Sequence, residues 1–371
     1  MAPFPFAWAE GEAPATLVLR CLAQLEPLPA TASLGLLYAT GVIGNRLDEA
    51  LAALRHSAPG IVWVGTVGEG LAVTGLEIYD RPGLALMLTD IAPDRYQLIV
   101  PDGDQLPAAV NAWLAARAGA FALVHGDPTD AATPLLLQQL AGHPGVGFVN
   151  GGFSASETDH VQVAGGLRRG GLSGVLFDPA VGIVTDHTQG CTPLGPVHAL
   201  TEVRRNIAVR LDDRTALEVL RSDVGEVIAR DLQRIGGFIF AALPVAHTDT
   251  GDYLVRNLVG LDPQRGLVAV GDDLEGQAQL LFCRRDGNAA RADLERMLER
   301  LARRTAGRTL RGGVYISCVG RGRHQFGDQS EELVAIRDAL GAFPLVGFFA
   351  DGEIYHGRLY GYTGVLTLFV D

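Results

Sequence analysis

The residues best placed for chemistry are charged side chains set among glycines at the ends of apolar runs. Val319-Gly-Arg-Gly-Arg-His324 follows the run Val314-Tyr-Ile-Ser-Cys318. In it Arg321 and Arg323 alternate with Gly320 and Gly322, so a guanidinium fork and unshielded backbone N–H groups can meet a carboxylate or phosphate. A second corner offers Asp351, Gly352 and Glu353 after the run at 344–347, and a third offers Gly68 and Glu69 after Ile61-Val-Trp-Val64. An arginine for a carboxylate, with Glu353 or Glu69 for an amine, would hold both ends of an amino-acid zwitterion. The competing use is structural. Arg321 would pair with Asp351 or Glu353 to join two loops, and the glycines would only permit positive φ.

The four cysteines, at 21, 191, 283 and 318, form no CxxC and no regular framework, so reduced thiols are expected. Cys318, at a strand end beside arginines, and Cys191 are the two candidate functional thiols. The alternative for each is a small buried apolar residue. A Cys318–His324 nucleophile pair needs the imidazole to fold back within hydrogen-bond reach. The loop His247-Thr-Asp-Thr-Gly-Asp252 lacks the spaced carboxylates and closing Glu of a calcium loop. Gly320–Gly327 has neither the Lys-Ser/Thr of a P-loop nor dinucleotide-site spacing. The expectation is a chain without cofactor or metal that binds a ligand and catalyses nothing.

Positioning these corners requires strands. The chain has 371 residues, 48% hydrophobic and 19% charged, which excludes extensive disorder and favours two domains. An apolar strand, a small-residue loop, a helix and a second strand ending in a Gly-rich corner recur. The pattern is clear at 34–88 and at 314–369 and weaker at 120–177 and 237–282. It predicts an α/β fold with mixed sheets, two domains of repeated strand-helix-strand units, and internal duplication in four units. Helices are expected with Leu47, Ala50, Leu51 and Leu54 buried, and with Leu294, Met297, Leu298 and Leu301 buried. Residues 1–12 are expected to be irregular, and a short helix is expected near 253–258. The boundary is placed at Gly190, giving domains 1–190 and 191–371 around the connector Thr192-Pro-Leu-Gly-Pro196.

Net charge is −12, which argues against a nucleic-acid binder. The N-terminus shows no signal-peptide pattern and no run approaches a membrane span, so a cytoplasmic chain is expected.

Four ordered passages carry a resemblance. They are Trp63–Gly70 with Glu77-Ile-Tyr-Asp-Arg-Pro82, Gln189–Pro196, Tyr315–Arg323, and Pro344–Ile354 with Tyr360-Gly-Tyr-Thr-Gly364. Together they resemble the FIST family, whose N- and C-terminal halves form a sensory module. The chain departs from it at Gly68-Glu69, where a Cys-Thr-Ser-type turn is commoner. The resemblance implies sensing of a small, amino-acid-like molecule. With no length left for an output domain, it implies signalling through a partner protein. A protein-interaction adaptor is the second reading it allows, and a cysteine-dependent enzyme, read from Cys318 rather than from the resemblance, is the third.

Overall fold

Runs such as Leu34-Gly-Leu-Leu-Tyr38 lack the polar alternation of a half-exposed strand, and every residue of that strand is buried. The computed structural model describes residues 1–11, 13–225, 237–245 and 252–371. The loop at 247–251 therefore lies outside the described residues.

The described chain divides into two units, Met1–Gln189 with Arg291–Asp371, and Gly190–Ala290. The larger unit repeats one pattern three times. The first copy runs β1 (Phe6–Glu10), α1 (Pro14–Leu25), β2 (Leu34–Thr40), α2 (Leu47–Ser57), β3 (Val62–Gly68), the hairpin β4 (Gly70–Val73) and β5 (Leu76–Tyr79), and β6 (Gly83–Thr89). The second runs β7 (Tyr96–Ile99), α3 (Ala108–Ala115), β8 (Ala120–Gly126), α4 (Ala132–Ala141), β9 (Val146–Phe153), the hairpin β10 (Val161–Ala164) and β11 (Leu167–Arg169), and β12 (Leu172–Phe177). The third opens with β13 (Ile183–Gln189) and is then interrupted.

The interruption is the smaller unit. It contains β14 (Cys191–Pro193), β15 (His198–Arg204), β16 (Ile207–Leu211), β17 (Arg214–Thr215), α5 (Ala216–Val224), β18 (Ile239–Pro244), β19 (Tyr253–Asp262), β20 (Leu267–Val270) and β21 (Gln279–Arg285). Its pairings are antiparallel, and α5 packs its Leu217 and Leu220 into a core with Ala241, Val268 and Phe282. The third copy then resumes with α6 (Gly287–Arg304), β22 (Leu310–Cys318), α7 (Glu331–Leu340), β23 (Leu345–Ala350), the hairpin β24 (Glu353–Tyr355) and β25 (Arg358–Tyr360), and β26 (Thr363–Val370).

Three sheets of identical order result: β1-β6-β2-β3-β10-β11, β7-β12-β8-β9-β24-β25, and β13-β26-β22-β23-β4-β5. Each is built on one parallel pair, β2/β3, β8/β9 or β22/β23. Each copy also donates its hairpin to another copy's sheet. The first gives β4–β5 to the third, the third gives β24–β25 to the second, and the second gives β10–β11 to the first. The cycle closes. The inner faces share one core, including Leu36 and Val64, Leu123 and Phe177, and Val314 and Phe348. Helices cover the outer faces. Leu47, Ala50, Leu51 and Leu54 of α2 are buried as expected, and so are Leu294, Met297, Leu298 and Leu301 of α6.

The structure corrects four local expectations. Residues 6–10 form strand β1, because they pair with β6 at the sheet edge. Residues 253–258 are strand, held between β18 and β20. Thr192 and Pro193, the start of the expected rigid connector Thr192–Pro196, belong to β14 and pair with β21. The four-unit duplication becomes three, since the strands at 237–282 belong to the antiparallel sheet of the inserted unit and form no parallel pair among the described residues. The first crossing between units lies at Gln189/Gly190, and a return crossing follows at Ala290/Arg291.

Candidate functional site

The parallel pairs fix where the corners meet. Gly65, Gly151 and Gly347 occupy the same place in the three copies, opposite Leu37, Val124 and Tyr315. A Cβ on each would stand 1.6, 1.9 and 1.7 Å from the neighbouring strand's carbonyl oxygen, so only glycine allows this close approach. Four residues beyond each lies a corner residue: Glu69, Ala155 and Asp351. Glu69 N–H donates to the Phe349 carbonyl at 3.1 Å, Asp351 N–H to that of Phe153 at 3.1 Å, and Ala155 N–H to that of Val67 at 3.2 Å. These three bonds form a ring in which each copy clasps the next. The carboxyl ends of all three parallel pairs therefore converge, the location where α/β sheets present ligand sites.

A cleft of about 770 Å³ opens there, lined by Gly41, Val42, Glu69, Asp80, Ala155, Ser156, Glu157, Thr158, His160, Val319, Arg323 and Asp351. Arg323 is its central cation. The guanidinium bonds Asp80 through two nitrogens, lies 4.4 Å over the Tyr79 ring, and is 3.9 Å from Glu69. The hydrogen bond from Arg323 holds the Asp80 carboxyl below its usual range. Ser154 Oγ and His160 Nδ1 are 3.1 Å apart, which orients the imidazole at the cleft wall.

Of the expected site residues, the structure brings Glu69, Asp351 and Arg323 to this cleft. Gly68, Gly320 and Gly352 adjoin the lining residues Glu69, Val319 and Asp351 in the chain but do not line the cleft themselves. A Cβ on Gly68 would press the Phe349 carbonyl at 2.8 Å, and Gly352 sits at φ +119°.

Arg321 takes a different place. It is wholly buried and forks onto Glu332 of α7, with Nε and Nη2 at 2.8 and 2.6 Å from Oε1. Tyr315 Oη, Ser317 Oγ and Gly322 N–H donate to the same carboxylate. The loop-joining role is thus real, but the partner is Glu332 rather than Asp351 or Glu353. Gly322, at φ +47°, turns the chain so that its N–H reaches that carboxylate.

Glu353 is also wholly buried, accepting the Thr363 N–H at 3.1 Å. Burial raises its pKa well above the carboxylate range. The Cys318 thiol lies against it and is pushed up by burial and then by the Glu353 charge, the opposite of an activated nucleophile. His324 is directed elsewhere, 3.8 Å from Glu69. Cys191 belongs to the inserted unit, where it is buried and hydrogen-bonds the Cys283 thiol.

Reading the sequence missed Asp80, Ser156, Thr158 and His160. The signal for Asp80 was in hand, since Glu77-Ile-Tyr-Asp-Arg-Pro82 contains Tyr79 and Asp80, two of the three partners of Arg323. The signal for the others was the Gly-rich stretch Asn150-Gly-Gly152, whose continuation is rich in Ser and Thr. Among the described residues no group of His, Cys, Asp or Glu is arranged to hold a metal ion, and no described helix is long and apolar enough to cross a membrane.

Residues 33–214 match the FIST N domain and residues 216–356 the FIST C domain. The chain belongs to the FIST family. FIST domains are sensory domains associated with signal transduction. The chain is 31% identical over 377 residues, 94% of each chain, to the uncharacterized protein Rv0628c of Mycobacterium tuberculosis. It is 31% identical over 366 residues, 91% of each chain, to the uncharacterized protein Mb0898c of Mycobacterium bovis. The two FIST segments meet near residue 215, inside the inserted unit, so the FIST C segment spans most of the insertion and most of the third copy.

Proposed function

We propose that this FIST protein is a cytoplasmic small-ligand sensor whose ligand sits in the cleft between the three corners. The observation that carries the reading is the convergence of Glu69, Asp351 and Arg323 on one cleft at the strand ends. Glu69 and Asp351 stand at equivalent places in two copies, so these copies offer a pair of carboxylates where the third offers Ala155 followed by the polar Ser156, Glu157 and Thr158. A ligand ammonium group is taken by the two carboxylates. A ligand carboxylate competes with Asp80 for the fork of Arg323, a charge-assisted exchange that costs little because Asp80 is 70% exposed. An amino-acid-like molecule satisfies both. Displacing Asp80 frees the turn after β5, which is the change a partner protein reads.

A thermal-shift screen of the whole chain against amino acids, small amines and small carboxylates tests this. Compounds bearing an amine are expected to raise the midpoint, and a ligand at a hundred times its Kd contributes about 2.7 kcal/mol. No shift with any of them at millimolar concentration would overturn the reading.

A further inference from the structure

At one matching helix position a single copy of the three carries a small residue in place of arginine, and a second cavity lies beside it. Leu51 and Leu54 of α2, Leu137 and Leu140 of α4, and Leu333 and Ile336 of α7 are buried at matching places on their sheets. The next residue in each helix is Arg55, Ala141 and Arg337. Each faces the turn of the hairpin its sheet has received. Arg55 Nη2 donates to the Gly165 carbonyl at 2.5 Å, and Arg337 lies within about 3 Å of where a Gly75 side chain would begin. Ala141 faces Gly357 in the same way but has only a methyl group to offer. Beside it lies a groove of about 640 Å³ whose walls include Leu137, Phe153 and Leu359.

The groove's charged equipment is one-sided, with Thr133 and Gln138 the other polar side chains of its lining. Arg358 and His356 stand at its rim, and no carboxylate is among its lining residues. His356 is fixed by stacking on Phe148, with ring centroids 4.7 Å apart. Arg358 is exposed and forms no ion pair among the described residues, whereas Arg55 and Arg337 both lie across their hairpin turns. An apolar trough with one uncommitted guanidinium at its mouth matches an amphipathic anion.

We propose that this groove is a second binding site, separate from the cleft at the strand ends, for a free monocarboxylic acid with an apolar body. The apolar part lies along Leu137, Phe153 and Leu359, and the carboxylate meets Arg358. The single arginine-to-alanine difference at position 141 is what makes the site exist in one copy of three.

Isothermal titration of the full chain with octanoate, 1-octanol and acetate tests it. Saturable binding of octanoate is expected, with octanol and acetate each weaker by about tenfold or more. Ala141→Arg, which copies the two other repeats, is expected to abolish octanoate binding. Arg358→Gln is expected to weaken octanoate about tenfold while leaving octanol unchanged. Arg323→Ala is the control and leaves octanoate binding as it was, so failure of the strand-end cleft as a sensor site would not register here. Absence of saturable octanoate binding, equal affinity for octanol, or undiminished binding in Arg358→Gln would overturn the proposal. The last comparison decides the matter should Ala141→Arg lose its circular-dichroism signature of folding.

Discussion

Arg321 and Arg323 are two residues apart and have opposite fates. The first is sealed against Glu332, and the second reaches solvent at the cleft. Removing half of the sealed pair leaves a buried charge, so Glu332→Gln is expected to cost about 3–5 kcal/mol in urea unfolding. The double change Arg321→Met with Glu332→Leu should cost less than that single one, since no charge is stranded. Arg323→Ala should shift stability by about 1 kcal/mol or less, because its partner Asp80 is mostly exposed. Glu77, which accepts the Tyr79 hydroxyl, gives a pH signature. Burial first, and the charge of Glu332 second, push its pKa up to about 8. Between the unfolded value near 4.5 and about 8, the folded chain holds the proton more tightly than the unfolded chain does. Stability contributed by that proton is therefore present at low pH and lost as pH rises to about 8. Unfolding free energy measured from pH 5 to pH 8 should fall, and Glu77→Gln should flatten the fall.

At the scale of elements, the parallel pairs position everything else. Alanine at Gly65, Gly151 or Gly347 would drive a methyl group into the next strand's carbonyl, so each substitution is expected to cost about 3 kcal/mol or more. Thermal unfolding of the three variants checks this, and similar losses at all three would reflect their equivalence. Much at this level was legible in the sequence. The stripes on α2 and α6 follow the helical period, and the strand-end corners follow glycine and apolar runs. Three things were hidden, each for a physical reason. Hairpin exchange pairs β4 with β23, strands some 270 residues apart, and local pattern carries no trace of such a pairing. The partner of Arg321 sits on the following helix, and a charge in sequence does not say which of several carboxylates will be buried beside it. The inserted unit reads as a further copy because short apolar strands look alike whether their neighbours run parallel or antiparallel.

At the scale of the whole chain, the insertion leaves and re-enters the third copy at one place. Asp293 of α6 accepts the Gln189 N–H at 2.6 Å and the Thr188 hydroxyl at 2.9 Å, so β13 and α6 are joined across the interruption. The inserted unit also carries its own core. Replacing residues 191–286 with a short glycine-serine linker is therefore expected to leave a protein with one cooperative thermal transition and an intact cleft. Loss of folding in that variant would mean the larger unit depends on the insertion.

The claim on which the rest depends is that the ring of corners forms one ligand site. Isothermal titration of an amine-bearing compound found by the thermal-shift screen, into wild type and into Glu69→Gln, Asp351→Asn and Arg323→Ala, tests it most directly. These residues come from two copies and lie far apart in sequence, so a shared site predicts that all three variants weaken the same compound, by about tenfold or more each. Wild-type affinity in all three would contradict it.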